Sequence, residues 1–292
     1  MASLVDKIKS IFSSETTPSA KAEPSARRVM AVPEDIHQIV IGTGQSTGIE
    51  RSHNEDALLV INSAIASEPT PPNFGLFVVA DGMGGHRAGE VASAVSIRTV
   101  ARRITGQTIV QMLSAGPEDD MEPLQDLLRN AIEEANEAVV EQVPGGGTTL
   151  TAVVMLGQQM TIGHVGDSRA YLLQDGRAEV LTRDHSLVER LRELGQLTAE
   201  EAAVHPQRNV LYRAIGQGAN LEVDVSTMPT PKSGYLMICS DGLWGVLGDE
   251  RMKAIIDEAP STQVACEQLV DAANAAGGPD NITVILVRFP SD

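Results

Sequence analysis

Two hydrophobic strands in this chain deliver a carboxylate straight into a glycine. The first is Phe77-Val78-Val79-Ala80-Asp81-Gly82-Met83-Gly84-Gly85-His86 and the second is Leu236-Met237-Ile238-Cys239-Ser240-Asp241-Gly242. An acid at the end of a buried strand sits at the rim of a rigid sheet, and the glycine after it lets another group come close to the backbone. That arrangement suits a hard cation with oxygen ligands. A lone Asp-Gly is ordinarily a hairpin turn, the role expected of Asp175-Gly176 between Tyr171-Leu172-Leu173 and Glu179-Val180-Leu181. Asn54-Glu55-Asp56, Gly166-Asp167-Ser168 and Asp280-Asn281, however, also sit at the ends of apolar, β-prone runs. So many acidic strand ends point to a metal site built between sheets.

Metal-assisted hydrolysis of a phosphate ester needs carboxylates to hold the ions, a bound water made nucleophilic at neutral pH, and a cation to orient the phosphate. Each part has a candidate. Asp81 is suited to bridge two ions, the Gly82 carbonyl is unobstructed by a side chain, and Asp241 and Asp280 can complete one ion's shell. Glu55 and Asp56 are expected to act through metal-bound waters. Arg51, just upstream, has the forked donors that fit a phosphate.

Weaker signals lead elsewhere. Asp184-His185-Ser186 contains the letters of a hydrolase triad, but consecutive residues do not face one another in triad geometry, so a bracing role is expected. Gly42-Thr43-Gly44-Gln45-Ser46-Thr47-Gly48 misses the dinucleotide spacing and leads into Glu55 rather than a helix, while Gly145-Gly146-Gly147 lacks the lysine of a phosphate-cradling loop. Neither supports nucleotide binding. His164, in mid-strand, and Trp244 read as packing residues.

The elements that must position these residues follow from the pattern. Strands are expected at 37–41, 56–61 and 74–80, then helices at 88–104 and over the 3-4 repeat Leu124, Leu127, Leu128, Ala131, Ile132, Ala135, Ala138, Val139. Strands resume at 149–156, 160–165, 170–173 and 179–181. Thr198-Ala199-Glu200-Glu201 reads as a capping box opening a short helix that stops before Pro206. Strands at 221–225, 235–239 and 282–289 then frame helices at 250–258 and 262–275. Segregated runs of strands and helix pairs predict an α+β fold of packed antiparallel sheets covered by helices.

With 292 residues, of which 42% are hydrophobic, the chain has material for a substantial core. One catalytic domain over 35–290 is expected, preceded by residues 1–34. In that leading segment Leu4, Val5, Ile8, Ile11 and Phe12 share one helical face, and a Ser-, Pro- and Ala-rich linker follows. The 39 acidic against 22 basic side chains give a formal charge of −17, which repels nucleic acid and anionic lipid surfaces. Cys239 and Cys266 show no zinc-ligand spacing and read as reduced core thiols of a cytoplasmic protein. No run approaches the roughly 20 apolar residues of a membrane span, and no signal peptide is recognised.

Taken in order, Arg51-Ser52-His53-Asn54-Glu55-Asp56, Asp81-Gly82-Met83-Gly84-Gly85-His86 with Ala88-Gly89-Glu90, Gly147-Thr148-Thr149, Gly166-Asp167-Ser168-Arg169-Ala170-Tyr171, Asp184-His185-Ser186, Ser240-Asp241-Gly242-Leu243 and Asp280-Asn281-Ile282-Thr283 resemble the metal-dependent type 2C protein serine/threonine phosphatases, and the bacterial branch most. The resemblance spans about Ile41 to Phe289. It implies a central sandwich of two antiparallel β-sheets flanked by pairs of antiparallel helices, a four-layer αββα arrangement. It also implies two Mn²⁺ or Mg²⁺ ions, with Asp81 bridging them, Asp241 and Asp280 on one and the Gly82 carbonyl on the other, and Arg51 on the substrate phosphate. Asp167 with Asp241 resembles a weaker third-metal position. Residues 186–209 resemble the family's mobile flap, within which His205 is expected to meet substrate.

Many eukaryotic members carry a histidine immediately after the Asp-Gly, where this chain has Met83. His86 is then the expected proton donor to the leaving alcohol, or else an imidazole that only stabilises the loop. The implied activity is hydrolysis of phosphoserine and phosphothreonine in proteins by a metal-bridged hydroxide, opposing a cognate kinase. The alternatives are a phosphoprotein-binding adaptor of the same fold and a hydrolase of small phosphorylated metabolites. The 1–12 segment is expected to dock on a partner or lie weakly on a membrane.

Overall fold

The structure, a computed structural model, describes residues 39–63, 73–84, 87–113 and 122–289. Their order is β1 (Val40–Ser46), β2 (Ala57–Ser63), β3 (Phe74–Ala80), β4 (Gly82–Met83), α1 (Arg87–Leu113), α2 (Leu124–Gln142), β5 (Gly147–Thr148), β6 (Leu150–Leu156) and β7 (Gln159–Val165). There follow β8 (Arg169–Gln174), β9 (Arg177–Val180), α3 (Leu187–Glu193), α4 (Ala199–Ala203), β10 (Asp224–Pro229), β11 (Gly234–Cys239), α5 (Asp241–Leu247), α6 (Asp249–Glu258), α7 (Thr262–Ala275) and β12 (Ile282–Phe289).

One sheet runs β1-β12-β11-β8-β9 and the other β10-β7-β6-β3-β2, and every pairing in them is antiparallel. Central strands are apolar on both faces, and their side chains divide with the two-residue period of a strand. Along β3, Phe77 and Val79 enter the layer between the sheets, while Phe74, Leu76, Val78 and Ala80 enter the layer under the helices. Along β12, Ile285, Val287 and Phe289 face the sandwich interior and Ile282, Val284 and Leu286 face outward. Helices α1 and α2 cover one sheet through Val100, Ile104, Leu128, Ile132 and Val139, and α5 to α7 cover the other through Leu243, Ile256, Leu269 and Ala273. The four-layer α+β expectation holds.

Several boundaries moved. β1 was expected at 37–41, yet it runs Val40–Ser46, through Gly42-Thr43-Gly44. The reason lies across the chain: a Cβ on Gly42 would collide with the Thr262 carbonyl, so glycine lets α7 lie directly on this strand. The helix expected to end at Ile104 continues to Leu113. The strand expected at 221–225 is β10, from Asp224 to Pro229, whose register on β7 pairs Asp224 with His164. The Asp175-Gly176 hairpin is as expected, with both residues at positive φ. So is the capping box, in which Thr198 and Glu201 exchange side-chain and backbone bonds.

Candidate functional site

Strand ends from both sheets meet around one cavity of ≈ 400 Å³. Arg51, Glu55, Asp81, Gly82, Asp167, Asp241 and Asp280 all line it. Backbone bonds hold Asp81 in place: its N–H donates to Thr149 Oγ1 at 3.0 Å and its carbonyl accepts from the Thr149 N–H at 2.8 Å and from Thr148 Oγ1 at 2.9 Å. Thr149 Oγ1, already an acceptor, also lies 2.7 Å from Ser168 Oγ and so ties the Asp81 strand end to the turn that carries Asp167. Gly82 lies in a slot that admits no side chain, since a Cβ there would strike the Gly89 carbonyl. Its N–H donates to the Glu55 carbonyl at 3.2 Å, which joins the glycine motif to the Arg51–Asp56 segment.

Asn281, next to Asp280, organises that segment. Its Oδ1 accepts the Glu55 N–H at 2.7 Å, while Nδ2 donates to the carbonyls of Thr47 and His53, both at 2.8 Å. Arg51 reaches across to Asp280, its Nη2 donating to Oδ2 at 2.6 Å. The guanidinium is 51% exposed and therefore open to solution.

The carboxylates press on one another electrostatically. Burial raises Asp81 well above the usual carboxylate range, and the charges of Asp56, Asp241, Asp167 and Asp280 push the same way. Asp167 is raised by burial and then by Asp241. Asp241 is pushed up to about 6 by burial and Asp280, and Asp56 to about 7 by burial against the relief of its hydrogen bonds. Among the described residues no three such side chains already enclose an ion-sized point. The donor set nonetheless fits a divalent cation: it is all oxygen, it is anionic, and Asp241 Oδ1 is buried without a hydrogen-bond partner.

Two of the expected site residues are not brought to the cavity. Asp56 is buried beneath the floor, where its Oδ2 accepts from Ser240 Oγ at 2.8 Å, so it braces the first turn of α5 rather than facing the opening. His205 is turned into its own loop, Nδ1 accepting the Gln207 N–H at 3.1 Å, and Asn209 and Leu211 line the cavity in its place. His86 lies outside the described residues. Ser52, His53, Met83, Gly84, Thr149 and Asn281, which stand in the family motifs but were given no role at the site, also line the cavity.

The Asp184-His185-Ser186 letters do brace. Asp184 accepts both forks of Arg169 at 2.9 and 2.8 Å, His185 Nδ1 accepts the Gly166 N–H at 3.1 Å, and Ser186 caps α3. His164 is buried between Thr151 Oγ1 at 2.9 Å and the Arg183 carbonyl at 3.0 Å. A carbonyl can only accept, so Nε2 carries the proton and Nδ1 accepts from the threonine. Burial and His185 hold His164 neutral, with its pKa lowered to about 3.

Comparison with known proteins bears directly on this geometry. The sequence profile described as "Protein phosphatase 2C" matches residues 42–282. The serine/threonine phosphatase stp of Listeria welshimeri is 38% identical over 244 residues, which is 82% of this chain and 91% of that protein. The crystal structure of the Mycobacterium tuberculosis serine/threonine phosphatase PstP/Ppp superposes with a TM-score of 0.72 at 32% identity, covering 86% of this chain and 98% of that one. The catalytic domain of PstP in complex with two manganese ions superposes with a TM-score of 0.70 at 30% identity, covering 87% of this chain and 99% of that one.

Proposed function

The chain belongs to the protein phosphatase 2C family and is a metal-dependent protein serine/threonine phosphatase of the bacterial type, and from that premise we propose how its residues divide the work. Asp81, the Gly82 carbonyl, Asp241 and Asp280 hold two divalent cations, Mn²⁺ or Mg²⁺, and Asp167 with Asp241 holds a weaker third. When bound, the ions supply Lewis acidity toward the phosphoryl oxygens and bring the pKa of a bound water near neutrality. Arg51 takes the substrate phosphate through its forked donors.

Beyond the first contacts, Glu55 orients groups at the edge of the centre, Asp56 braces Ser240 beneath it, and the 186–209 flap, with His205 at its turn, meets the polypeptide around the phosphorylated residue. Exposed Leu194, Val204, Val210 and Tyr212 give that segment and its end an apolar surface suited to a peptide. His86 donates the proton to the leaving alcohol. His53 is the alternative donor, because it is among the residues that line the cavity. Replacing each with Asn and comparing a phosphothreonine peptide with an activated aryl phosphate distinguishes them, since the true donor matters chiefly for the poor leaving group.

The observation that carries this reading is the convergence of Asp81, Asp167, Asp241 and Asp280 with Arg51 on one cavity. We place the substrates among the phosphoproteins of a serine/threonine kinase and the enzyme in cytoplasmic signalling, a reading supported by the −17 charge, which disfavours nucleic acid and anionic lipid. Among the described residues no helix is long and apolar enough to cross a membrane. The 1–12 segment, outside the described residues, is assigned to docking, and removing residues 1–30 should change partners or distribution without changing peptide turnover. The activity itself is tested by phosphate release from a phosphothreonine peptide. Turnover should vanish with EDTA and return with excess Mn²⁺, and equal rates with and without chelator would overturn the assignment.

A further inference from the structure

The peptide of Asp167 is held from several sides. Gly166 is clasped by His185, whose backbone N–H donates to the Gly166 carbonyl at 2.7 Å. The Ser168 carbonyl lies 3.1 Å from Thr151 Oγ1, the hydroxyl whose proton goes to His164. The carbonyl of Asp167 itself accepts the indole N–H of Trp244 at 3.0 Å. This last bond differs from the others in what it joins, because Trp244 lies in the first turn of α5, the helix that Asp241 begins. The Arg169 guanidinium, locked to Asp184, lies 3.5 Å over the indole ring and keeps it in orientation.

Asp167 comes from the β7–β8 turn and Asp241 from the β11–α5 junction, so no covalent neighbourhood sets their separation. Both are buried acids, and Asp241 is the charge that acts most strongly on Asp167. The β8–β11 ladder, which ends with Arg169 opposite Cys239, brings the two segments side by side, but both acids lie beyond its last pair, where repulsion can spread them. Packing alone would be served by a phenyl ring. The placement of the indole N–H on the Asp167 carbonyl is what a phenyl ring lacks.

We propose that Trp244 is a positioning residue for the weaker cation: its N–H fixes the Asp167 peptide to α5 and so sets the spacing of the Asp167 and Asp241 carboxylates that this cation must span. The proposal rests on the reading of Asp167 and Asp241 as a third-ion position. The tighter ions, held through Asp81 and Asp280, do not depend on it.

Calorimetric Mn²⁺ titration of the full-length protein, Trp244→Phe and Asp167→Ala tests this. Wild type should bind two ions tightly and one weakly. Trp244→Phe should keep the tight sites and weaken the third roughly fivefold, the loss one neutral hydrogen bond supports. If Trp244→Phe matches wild type while Asp167→Ala loses the weak ion, the indole only packs and the proposal is overturned, with the third-ion reading intact. If Asp167→Ala binds as many ions as wild type, the third-ion reading fails and the proposal with it. A second measurement needs no variant of Trp244 to fold. Trp244 is the sole tryptophan of the chain, so wild-type emission should change during the weak phase of a Mg²⁺ titration and not in Asp167→Ala. A weak phase that leaves emission unmoved also overturns it.

Discussion

Arg51 and Asp280 stand 229 residues apart in sequence, yet the guanidinium donates to the carboxylate at 2.6 Å. The contact joins the side chain proposed for phosphate to one proposed for the cation. Because Arg51 is half exposed, the pair contributes less than about 1 kcal/mol to folding.

Arg51→Ala should therefore melt close to wild type and act on substrate capture. Loss of a forked, charged contact should raise KM for a phosphothreonine peptide by roughly tenfold to a hundredfold, with a smaller change in kcat. Steady-state kinetics at saturating Mn²⁺ make the comparison. A fall in kcat at unchanged KM would contradict phosphate binding by Arg51.

Asp81→Asn and Asp241→Asn should each lower activity at least about a hundredfold by removing charge that faces the ions. Their stability should move the other way. Each wild-type carboxylate is raised by burial and by its acidic neighbours, so the neutral amide relieves repulsion in EDTA at mildly alkaline pH. A gain of about 1 kcal/mol would raise Tm by about 2–4 °C in a chain of this size. Thermal melts in EDTA that drop below wild type would mean that the cluster is not repulsive.

Cation affinity should fall with acid. Asp56 and Asp241 titrate in the fold near about 7 and about 6, above their unfolded values. Such groups hold protons that the unfolded chain has released, so their contribution to stability is present at low pH and is lost as pH rises through the folded values. His164 has the opposite sign: held down to about 3, it leaves the fold unprotonated while the unfolded chain takes up a proton below about 6.5, and stability falls as pH falls through that range. A melting curve against pH mixes the two effects, whereas ion binding isolates the acids. Mn²⁺ must displace carboxyl protons, so affinity should drop at least about tenfold from about pH 7.5 to about pH 5.5. Calorimetry in buffers of differing ionisation heat should show the released protons. Affinity that does not change with pH would contradict the raised pKa values.

Asn281→Ala should cost about 2 kcal/mol or more, because it strands the Glu55 N–H and the Thr47 and His53 carbonyls that the carboxamide now serves. The same change frees the segment bearing Arg51. Chemical denaturation should show the loss of stability, and the surviving folded enzyme should show raised KM. Wild-type KM in a destabilised protein would confine Asn281 to a structural role.

Much of the site was legible in the sequence because its acids stand where strands end. Asp81 and Asp241 could be picked out since seven or so residues of apolar strand and a following glycine leave a carboxylate nowhere to go but the rim. The two-faced burial of β3, β11 and β12 was legible for the same reason, as unbroken apolar runs. The extension of β1 through Gly42-Thr43-Gly44 was not legible because its glycines answer to α7, more than two hundred residues away, and local pattern carries no trace of a helix lying against a strand.

The sequence by itself determined the kind of ligand, the layering and the membership of the acidic set, since these depend on residue type and two- or four-residue periodicity. Only the tertiary structure decided which acids face the opening. Asp56 sits next to Glu55 in the chain, yet it goes under the floor to Ser240 while Glu55 lines the cavity. His205 folds back on its own turn, and Trp244, which read as packing, places its one polar atom on the carbonyl of Asp167. Those outcomes depend on where separate elements cross and which donors are left to pair there, and such distances between remote segments exist only once the sheets have closed on each other.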